Sequence, residues 1–381
     1  MIRPTIATVD LAAIAANLRA VIEMVGRESA VAGRPGPPGV IAVVKANAYG
    51  HGAVPVAAAL QNAGASMLAC ADIEEGVSLR MGGITAPILV FGAMSVSELD
   101  GVFEYGLTPT VSTPAAARAL EANAARRGVT LPCHLKVDTG MNRLGFRHDN
   151  LRQTMPGVIT SPHLQIDAIY SHFATADEPE SPFLDEQRRR FEQATAALGA
   201  LGLRGRPRHA ANSAALLRDT RTWYDWVRPG LLLYGIVPPP LGAELDLRPG
   251  LSLVSRIVAV KGVRAGEGTG YGLRWKADGP RTIAIVPAGY ADGLDTRLSG
   301  RGSVLVRGQR VPVIGSVCMD MITIDVTGLV VDPGDEVVII GRQGDEVITA
   351  REMAAAIGAI PWEVVCRLGS RIERKYGGVQ S

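Results

Sequence analysis

The chain has 381 residues, 47% of them hydrophobic and 20% charged, with a formal charge of +2. That composition supplies large apolar cores and excludes a disordered chain, and the near-neutral balance gives no reason to expect a nucleic-acid or membrane partner. The length exceeds one ordinary domain, although an α/β barrel uses up to about 250 residues as a single unit. Cys70, Cys133, Cys318 and Cys366 lie far apart without C-x-x-C spacing. Neither a zinc site nor a disulfide framework is expected, and each cysteine reads as a buried small hydrophobe. The opening "MIRPTIATVDL" lacks the basic-then-apolar pattern of a secretory signal, and no run of about 18 uncharged apolar residues could cross a membrane, so a cytoplasmic location is expected.

Taken in chain order, short β-branched runs recur at "VIAVVK" (40–45), "SMLACAD" (66–72), "PILVFG" (87–92) and "LTPTV" (107–111). They continue at "CHLKVD" (133–138), "LQIDAIYSH" (164–172), "PRHAAN" (207–212) and "VRPGLLLYG" (227–235). Helical segments separate most of them. "VPVAAALQNAG" stops on glycine, "TPAAARALEANAARRG" opens with Thr113 as N-cap and Pro114 at the first helical position, and "FLDEQRRRFEQATAALGALG" carries apolar residues at helical spacing. An open doubly wound sheet would also alternate in this way, but a count of eight favours a closed (β/α)8 barrel of the TIM type.

After about residue 245 the texture changes to strand-like pieces punctuated by glycine turns, with little helix before "TAREMAAAIG". This predicts a mostly antiparallel β domain. The Pro- and Gly-rich stretch 238–250 reads as a linker. The expected division is therefore a barrel over 10–240 and a β domain over 245–381. The basic tail "RLGSRIERKYGG" reads as the solvated end of an element.

In a parallel barrel the carboxyl ends of the strands form the active-site mouth. Here those ends carry Lys45, then Lys136 with Asp138, then Ser171-His172, Asn212-Ser213, and Arg228 with Gly230, while Arg143 lies in the loop "DTGMNRLGF". A lysine at the lip of an apolar barrel is partly desolvated, which lowers its pKa and suits it to form a Schiff base with an aldehyde; pyridoxal phosphate is the commonest such cofactor. "NSAA" offers a hydroxyl and helix-start N–H groups to a phosphate, "RPG" a close backbone approach, and Tyr49 a phenol. His51 reads as structural.

Eight motifs in order, "AVVKANAYGHG", "HLKVDTGMNRLGF", "SHFATAD", "HAANSAA", "VRPGLLLYG", "GTGYG", "PAGYADG" and "GSVCMDMITIDV", together resemble the alanine racemase family of fold-type III pyridoxal-phosphate enzymes. The resemblance spans roughly residues 5–375. It implies that an N-terminal strand (1–9) joins the β domain, and that the enzyme is a homodimer with shared active sites supplying D-alanine for cell-wall peptidoglycan. Lys45 is implied as cofactor lysine and one base, and Tyr271 of the partner subunit as the opposite base. His172 and Arg228 are implied behind that phenol, Arg228 also facing the pyridine nitrogen. Tyr49, Asn212, Ser213, Gly230, Leu231 and Trp362 are implied in cofactor binding. Arg143, Met319, Asp320 and Tyr290 are implied around the substrate, and Lys136 matches a lysine that is often carbamylated. No metal is implied.

One position departs from the family pattern. Trp362 precedes Glu363 in "IPWEVVCRLGSR", where the family usually has a tyrosine. Indole offers one N–H and no acceptor, so phosphate contact and substrate breadth are both affected. Three alternatives stand beside the racemase of alanine: a related racemase of serine or broader specificity, a basic amino-acid decarboxylase of similar architecture, and a non-catalytic pyridoxal-phosphate-binding protein.

Overall fold

The computed structural model describes residues 4–94 and 98–378. Residues 1–3 of the expected N-terminal strand and 379–381 of the expected β domain lie outside the described residues. Contacts divide the chain into two compact units: Ala15–Ala48 with Ala53–Leu247, and the residues up to Ile14 with Tyr49–Gly52 and everything from Arg248 onward.

The first unit is a closed parallel barrel. Its strands are β2 (Gly39–Val43), β3 (Met67–Cys70), β4 (Ile88–Val90), β5 (Thr108–Val111), β6 (Leu131–Asp138), β7 (Leu164–Tyr170), β8 (Arg208–His209) and β9 (Trp226–Val227). Each pairs with the next in parallel, and β9 returns to β2 through Trp226 opposite Gly39 and Val227 opposite Val40. Both faces of such strands are covered, which is why they read as unbroken apolar runs. Helices carry their expected caps. Thr113 Oγ1 accepts the Ala116 N–H at 3.0 Å, and the helix Pro114–Arg127 ends on Gly128 at φ 65°.

Two elements differ from the sequence expectation. The last barrel strand, Trp226–Val227, covers only Val227 of the expected run 227–235; Leu231–Tyr234 form a 3₁₀ turn closed by Gly235 at φ 74°. A 21-residue helix, α1 (Leu11–Val31), precedes the barrel strands; Leu11, Ile14, Leu18, Val21 and Val25 are its buried stripe, and Asp10 Oδ1 caps it by accepting the Ala13 N–H at 2.9 Å. The cysteines also divide: Cys70 and Cys133 are buried, but Cys318 is partly exposed and Cys366 exposed.

The second unit is built on one extended sheet. β1 (Ile6–Asp10) runs antiparallel to β10 (Leu251–Arg256) and parallel to a C-terminal strand, Glu373–Gly377. Beyond β10 the sheet is antiparallel, through Glu336–Gln343, Ser303–Val306, Gln309–Ile314, Ile322–Asp325, Arg281–Val286 and Ala259–Val263. Two short helices, Ala350–Ile357 and Pro361–Cys366, come late in the chain.

The barrel interior carries an unusual amount of polar surface. Tyr170 and His209 stack at 4.7 Å, and His134 stacks on Trp226 at 6.0 Å, a contact between strands that are not sheet neighbours and hence one made inside the barrel. Arg228, 3% exposed, donates from Nη1 to His209 Nδ1 at 2.9 Å, and His209 Nε2 meets His134 Nδ1 at 3.0 Å. A guanidinium only donates, so His209 must accept on Nδ1 and carry its proton on Nε2, which it gives to His134. Burial, and then Arg228, push His134 down to about 4 and hold His209 and His172 well below 6.5. All three are neutral in the fold, whereas in the unfolded chain each binds a proton near 6.5. Below that pH the unfolded state binds more protons, so stability present above pH 6.5 is lost as the pH falls toward 4. His134 alone accounts for roughly 3 kcal/mol of that loss. Urea denaturation followed by circular dichroism should show a plateau near pH 7 and a steep fall between 6.5 and 4. His134→Asn should remove about one proton from the slope, and an unchanged midpoint from pH 7 to 5 would contradict the assignment.

Candidate active site

The strand β2 buries Ile41 to Val44 completely or nearly so, and delivers Lys45, partly buried, at its carboxyl end. Immediately after Lys45 the backbone enters a left-handed turn. Ala46, Asn47, Ala48 and Tyr49 have φ of 53°, 53°, 53° and 50°, although none is glycine. Such residues cost about 1–2 kcal/mol each, and αL normally appears as single residues. The turn is closed by Ala48 N–H on Val44 O at 2.8 Å, and Asn47 Oδ1 accepts the Ala53 N–H at 2.8 Å. Its exit belongs to the second unit. There Arg374 Nε donates to Gly50 O at 2.7 Å, and a Cβ on Gly50 would lie 2.1 Å from Val365 O, so only glycine fits. His51, 1% exposed, bonds through Nδ1 to Tyr49 O at 2.9 Å, a structural role.

Four further strand ends of the barrel unit bring polar groups to the same rim. Lys136 on β6 is buried, with Nζ 5.5 Å from the centre of the Tyr170 ring. Burial first, then Arg143 and Arg228, bring its ammonium down to about 8, against the opposing pull of Asp138. Asp138 Oδ1 accepts the N–H groups of Gly140 at 2.9 Å and Asn142 at 3.1 Å, folding back the loop that carries the exposed Arg143. Lys136, Arg143, Ser171 and His172 line one cleft. His172, at the end of β7, accepts on Nδ1 from Arg228 Nη2 at 3.2 Å. Its neutral ring is kept so by burial and by Arg228, Lys136, Lys45 and Arg143 in turn. Its proton is therefore on Nε2, available to a group outside the network. Arg228 Nη2 also donates to Ser171 O at 2.8 Å and Ala210 O at 3.0 Å, and none of these bonds uses Nε.

After β8, Asn212 Oδ1 caps the short helix Ser213–Arg218 by accepting the Ala215 N–H at 2.9 Å. Ser213 Oγ accepts the Gly230 N–H at 3.0 Å and the Leu232 N–H at 3.5 Å, which leaves its own proton to donate. The Gly230 N–H is thus turned to Ser213, and Leu231 opens the 3₁₀ turn beside it.

The second unit holds the remaining expected residues. Tyr271 stands in a 3₁₀ turn between Gly270 (φ 72°) and Gly272 (φ 73°), and is 78% exposed. Ser316 Oγ holds its carbonyl at 2.7 Å. Tyr290 and Met319 are brought together by two backbone bonds, Tyr290 N–H to Cys318 O and Ala291 N–H to Met319 O, each 3.0 Å. Gly289 permits this, since a Cβ there would lie 2.3 Å from Cys318 O. Asp320 accepts from Arg371 Nη2 at 2.7 Å. Tyr290 also lines an open groove of about 380 Å³ with Leu294, Thr296 and Arg367. Trp362 is partly buried on the helix Pro361–Cys366, whose Val365 abuts Gly50.

Several participants carry little signal in the sequence. His134 and His209 lie on strands already recognised, and their mark is a polar residue at inward-alternating positions. Gln187, wholly buried, ties two rim loops by donating to His172 O and Thr139 Oγ1 at 3.1 Å and accepting the Ala174 N–H at 2.8 Å. Glu75 accepts backbone N–H groups beside Lys45; its only signal is its place three residues after the capping Asp72.

The chain matches the family model for the alanine racemase N-terminal domain over residues 9–238, and that for the alanine racemase C-terminal domain over residues 250–376. It is 43% identical over 378 residues to the alanine racemase of Symbiobacterium thermophilum, covering 99% of this chain and 98% of that one. The crystal structure of alanine racemase from D-cycloserine-producing Streptomyces lavendulae is similar with a TM-score of 0.94 and 35% identity, over 100% of this chain and 98% of that chain. The alanine racemase from Bacillus anthracis with bound L-Ala-P gives a TM-score of 0.89 and 36% identity, over 100% and 97%. Matches across both domains set aside the decarboxylase and the non-catalytic binding protein. The chain belongs to the alanine racemase family of fold-type III pyridoxal-phosphate enzymes, and is an amino-acid isomerase that interconverts L-alanine and D-alanine.

Proposed function

We propose that the barrel over 10–240 holds pyridoxal 5′-phosphate on Lys45. In this reading the β domain over 245–381, with the N-terminal strand 1–9, contributes Tyr271 to the site of a second subunit. The observation that carries it is the His172 tautomer: a donor-only Arg228 leaves a neutral imidazole whose Nε2–H is free to receive a phenolate oxygen. The rim also fits the cofactor chemically. Ser213 retains a hydroxyl proton for a phosphate, near the Asn212 cap and the Leu231 turn; the phenol of Tyr49 is read as a further donor to it, and Lys45 supplies the amine for an aldehyde.

When bound, the cofactor withdraws electrons from the α-carbon of an amino acid joined to it and so acidifies the α C–H. Lys45 Nζ takes or returns the α-proton on one face, and Tyr271 of the partner subunit does so on the other. Arg228 leaves any ring nitrogen it faces unprotonated, because a guanidinium only donates and the nitrogen must then accept. That favours return of the proton to the α-carbon over transamination. Arg143 and the Met319 turn, steadied by Arg371 through Asp320, hold the carboxylate. Tyr290 and Trp362 bound the small side-chain space. The exposure of Tyr271, with Leu273 at 54% and Met321 at 47%, is consistent with a surface covered by a second copy. Among the described residues no helix is long and apolar enough to cross a membrane; the reading takes the enzyme to act in the cytoplasm and to feed peptidoglycan synthesis.

Lys45→Ala should abolish borohydride-trappable cofactor. Tyr271→Phe should keep it while losing roughly 10²- to 10⁴-fold in turnover. Mixing the two inactive variants under subunit exchange should regenerate about one quarter of the native sites, since each mixed dimer holds one intact pair. No recovery, in dimers shown to have exchanged, would refute a shared site.

Lys136 is read as a carbamate, formed when its neutral amine adds to the carbon of CO2 and loses a proton. Because its ammonium lies at about 8, the reactive form and the carbamate are present at alkaline pH and lost as the pH falls below 8. A carbamate signal from ¹³C-bicarbonate should appear at pH 8.5, fade by pH 6.5, and be missing in Lys136→Met.

A further inference from the structure

The left-handed turn after Lys45 needs a cause, because four successive L-residues oppose it. We propose that Glu75 is a positioning residue for Lys45, its carboxylate pinning the peptide that sets the lysine's direction. The inference rests on the reading of Lys45 as the cofactor lysine. Glu75 Oε1 accepts the Ala46 N–H at 2.6 Å, and Oε2 accepts the Ala71 N–H at 2.7 Å. One carboxylate thus joins the carboxyl ends of the neighbouring strands β2 and β3. The Ala46 N–H belongs to the same rigid peptide plane as the Lys45 carbonyl. Fixing it fixes the ψ of Lys45, and with it the direction in which the side chain leaves the strand.

Glu75 has little slack of its own. Its N–H donates to Asp72 Oδ1 at 2.9 Å, so it sits in the first turn of the helix Ile73–Met81. The next residue, Gly76, lets that helix approach closely, for a Cβ there would lie 2.7 Å from Leu107 Cδ1. An acidic residue in a first helical turn is favourable without any such contact. Losing that role alone in Glu75→Gln would lower stability slightly and leave cofactor binding unmoved. The positioning role would not survive the change, since an amide offers one acceptor oxygen and sets its NH2 against the second backbone N–H.

Two measurements decide the matter. In the unmodified holoenzyme the Ala46 amide, on an exposed residue, should exchange at least about 100-fold more slowly than in a free peptide, because its bond to Glu75 protects it; exchange near the free rate overturns the proposal. Glu75→Gln should weaken cofactor binding, read by titration of the apoenzyme and by borohydride trapping on Lys45, by about 10- to 100-fold, with kcat falling more than KM rises. Adding Ala46→Gly and Ala48→Gly should restore most of that loss, as glycine takes positive φ without cost, while changing the native background little. Glu75→Gln within twofold of the native protein, or a folded Glu75→Gln that the glycines fail to improve, overturns the proposal. If instead Lys45→Ala still traps cofactor, the reading of Lys45 fails while the exchange result on Ala46 stands separately.

Discussion

The buried guanidinium of Arg228 organises the barrel's chemistry, because it is a cation that can donate and never accept. It is 3% exposed, and it gives hydrogen bonds to two imidazoles and two carbonyls. Burying a charge of this kind is tolerable only with its Nη protons directed to acceptors. Once they are, the tautomers of its neighbours are no longer free choices. His209 must hand its proton inward to His134, and His172 must present its own away from Arg228. Burial draws the guanidinium itself down to about 10, which leaves it a cation at neutral pH. One residue therefore fixes the proton positions of a polar core and of His172 at its rim.

The second constraint is geometric. A barrel strand ends where its apolar run ends, but a reactive lysine has to leave that strand in one direction only. Here the chain turns through four left-handed residues, with a carboxylate at the start of the turn and Arg374 on Gly50 at its exit. Strain of this sort persists only where its surroundings over-determine it. The same turn marks the passage between compact units, Lys45 being counted with the barrel and Tyr49–Gly52 with the β domain.

Those two constraints differ in how far they can be read from sequence. The barrel strands are legible because strands buried on both faces are apolar without alternation, and the helix Pro114–Arg127 because Thr113, Pro114 and Gly128 each have one good position in a helix. The last strand is shorter than its sequence suggests: its Leu231–Tyr234 portion is as apolar as a strand, and apolarity alone does not separate a buried strand from a 3₁₀ turn. Lys45, Lys136, His172, Asn212, Ser213 and Arg228 stand out as polar interruptions at strand ends, and Arg143 in the loop that follows one. His134, His209, Gln187 and Glu75 do not, because a polar residue inside an element looks like an exposed one until its partners are known. The left-handed turn is hidden for a related reason. Its usual signal is glycine, and at 46–49 only Asn47 hints at it.

Electrostatics ties these pieces together. Lys45, Lys136, Arg143 and Arg228 all act on His172, and every one of them disfavours its protonation. An imidazole in such surroundings cannot serve as an acid that cycles its charge; it can only hold a neutral donor in place. The rim that keeps it neutral is for the same reason a strong attractor of anions, suited to a phosphate and a carboxylate together. Asp138 works against that excess from within, pulling upward on Lys136 while its Oδ1 folds the Arg143 loop. The cations that would meet a ligand's negative groups and those that hold the imidazole uncharged are thus one set. Removing any of them would change recognition and proton placement together.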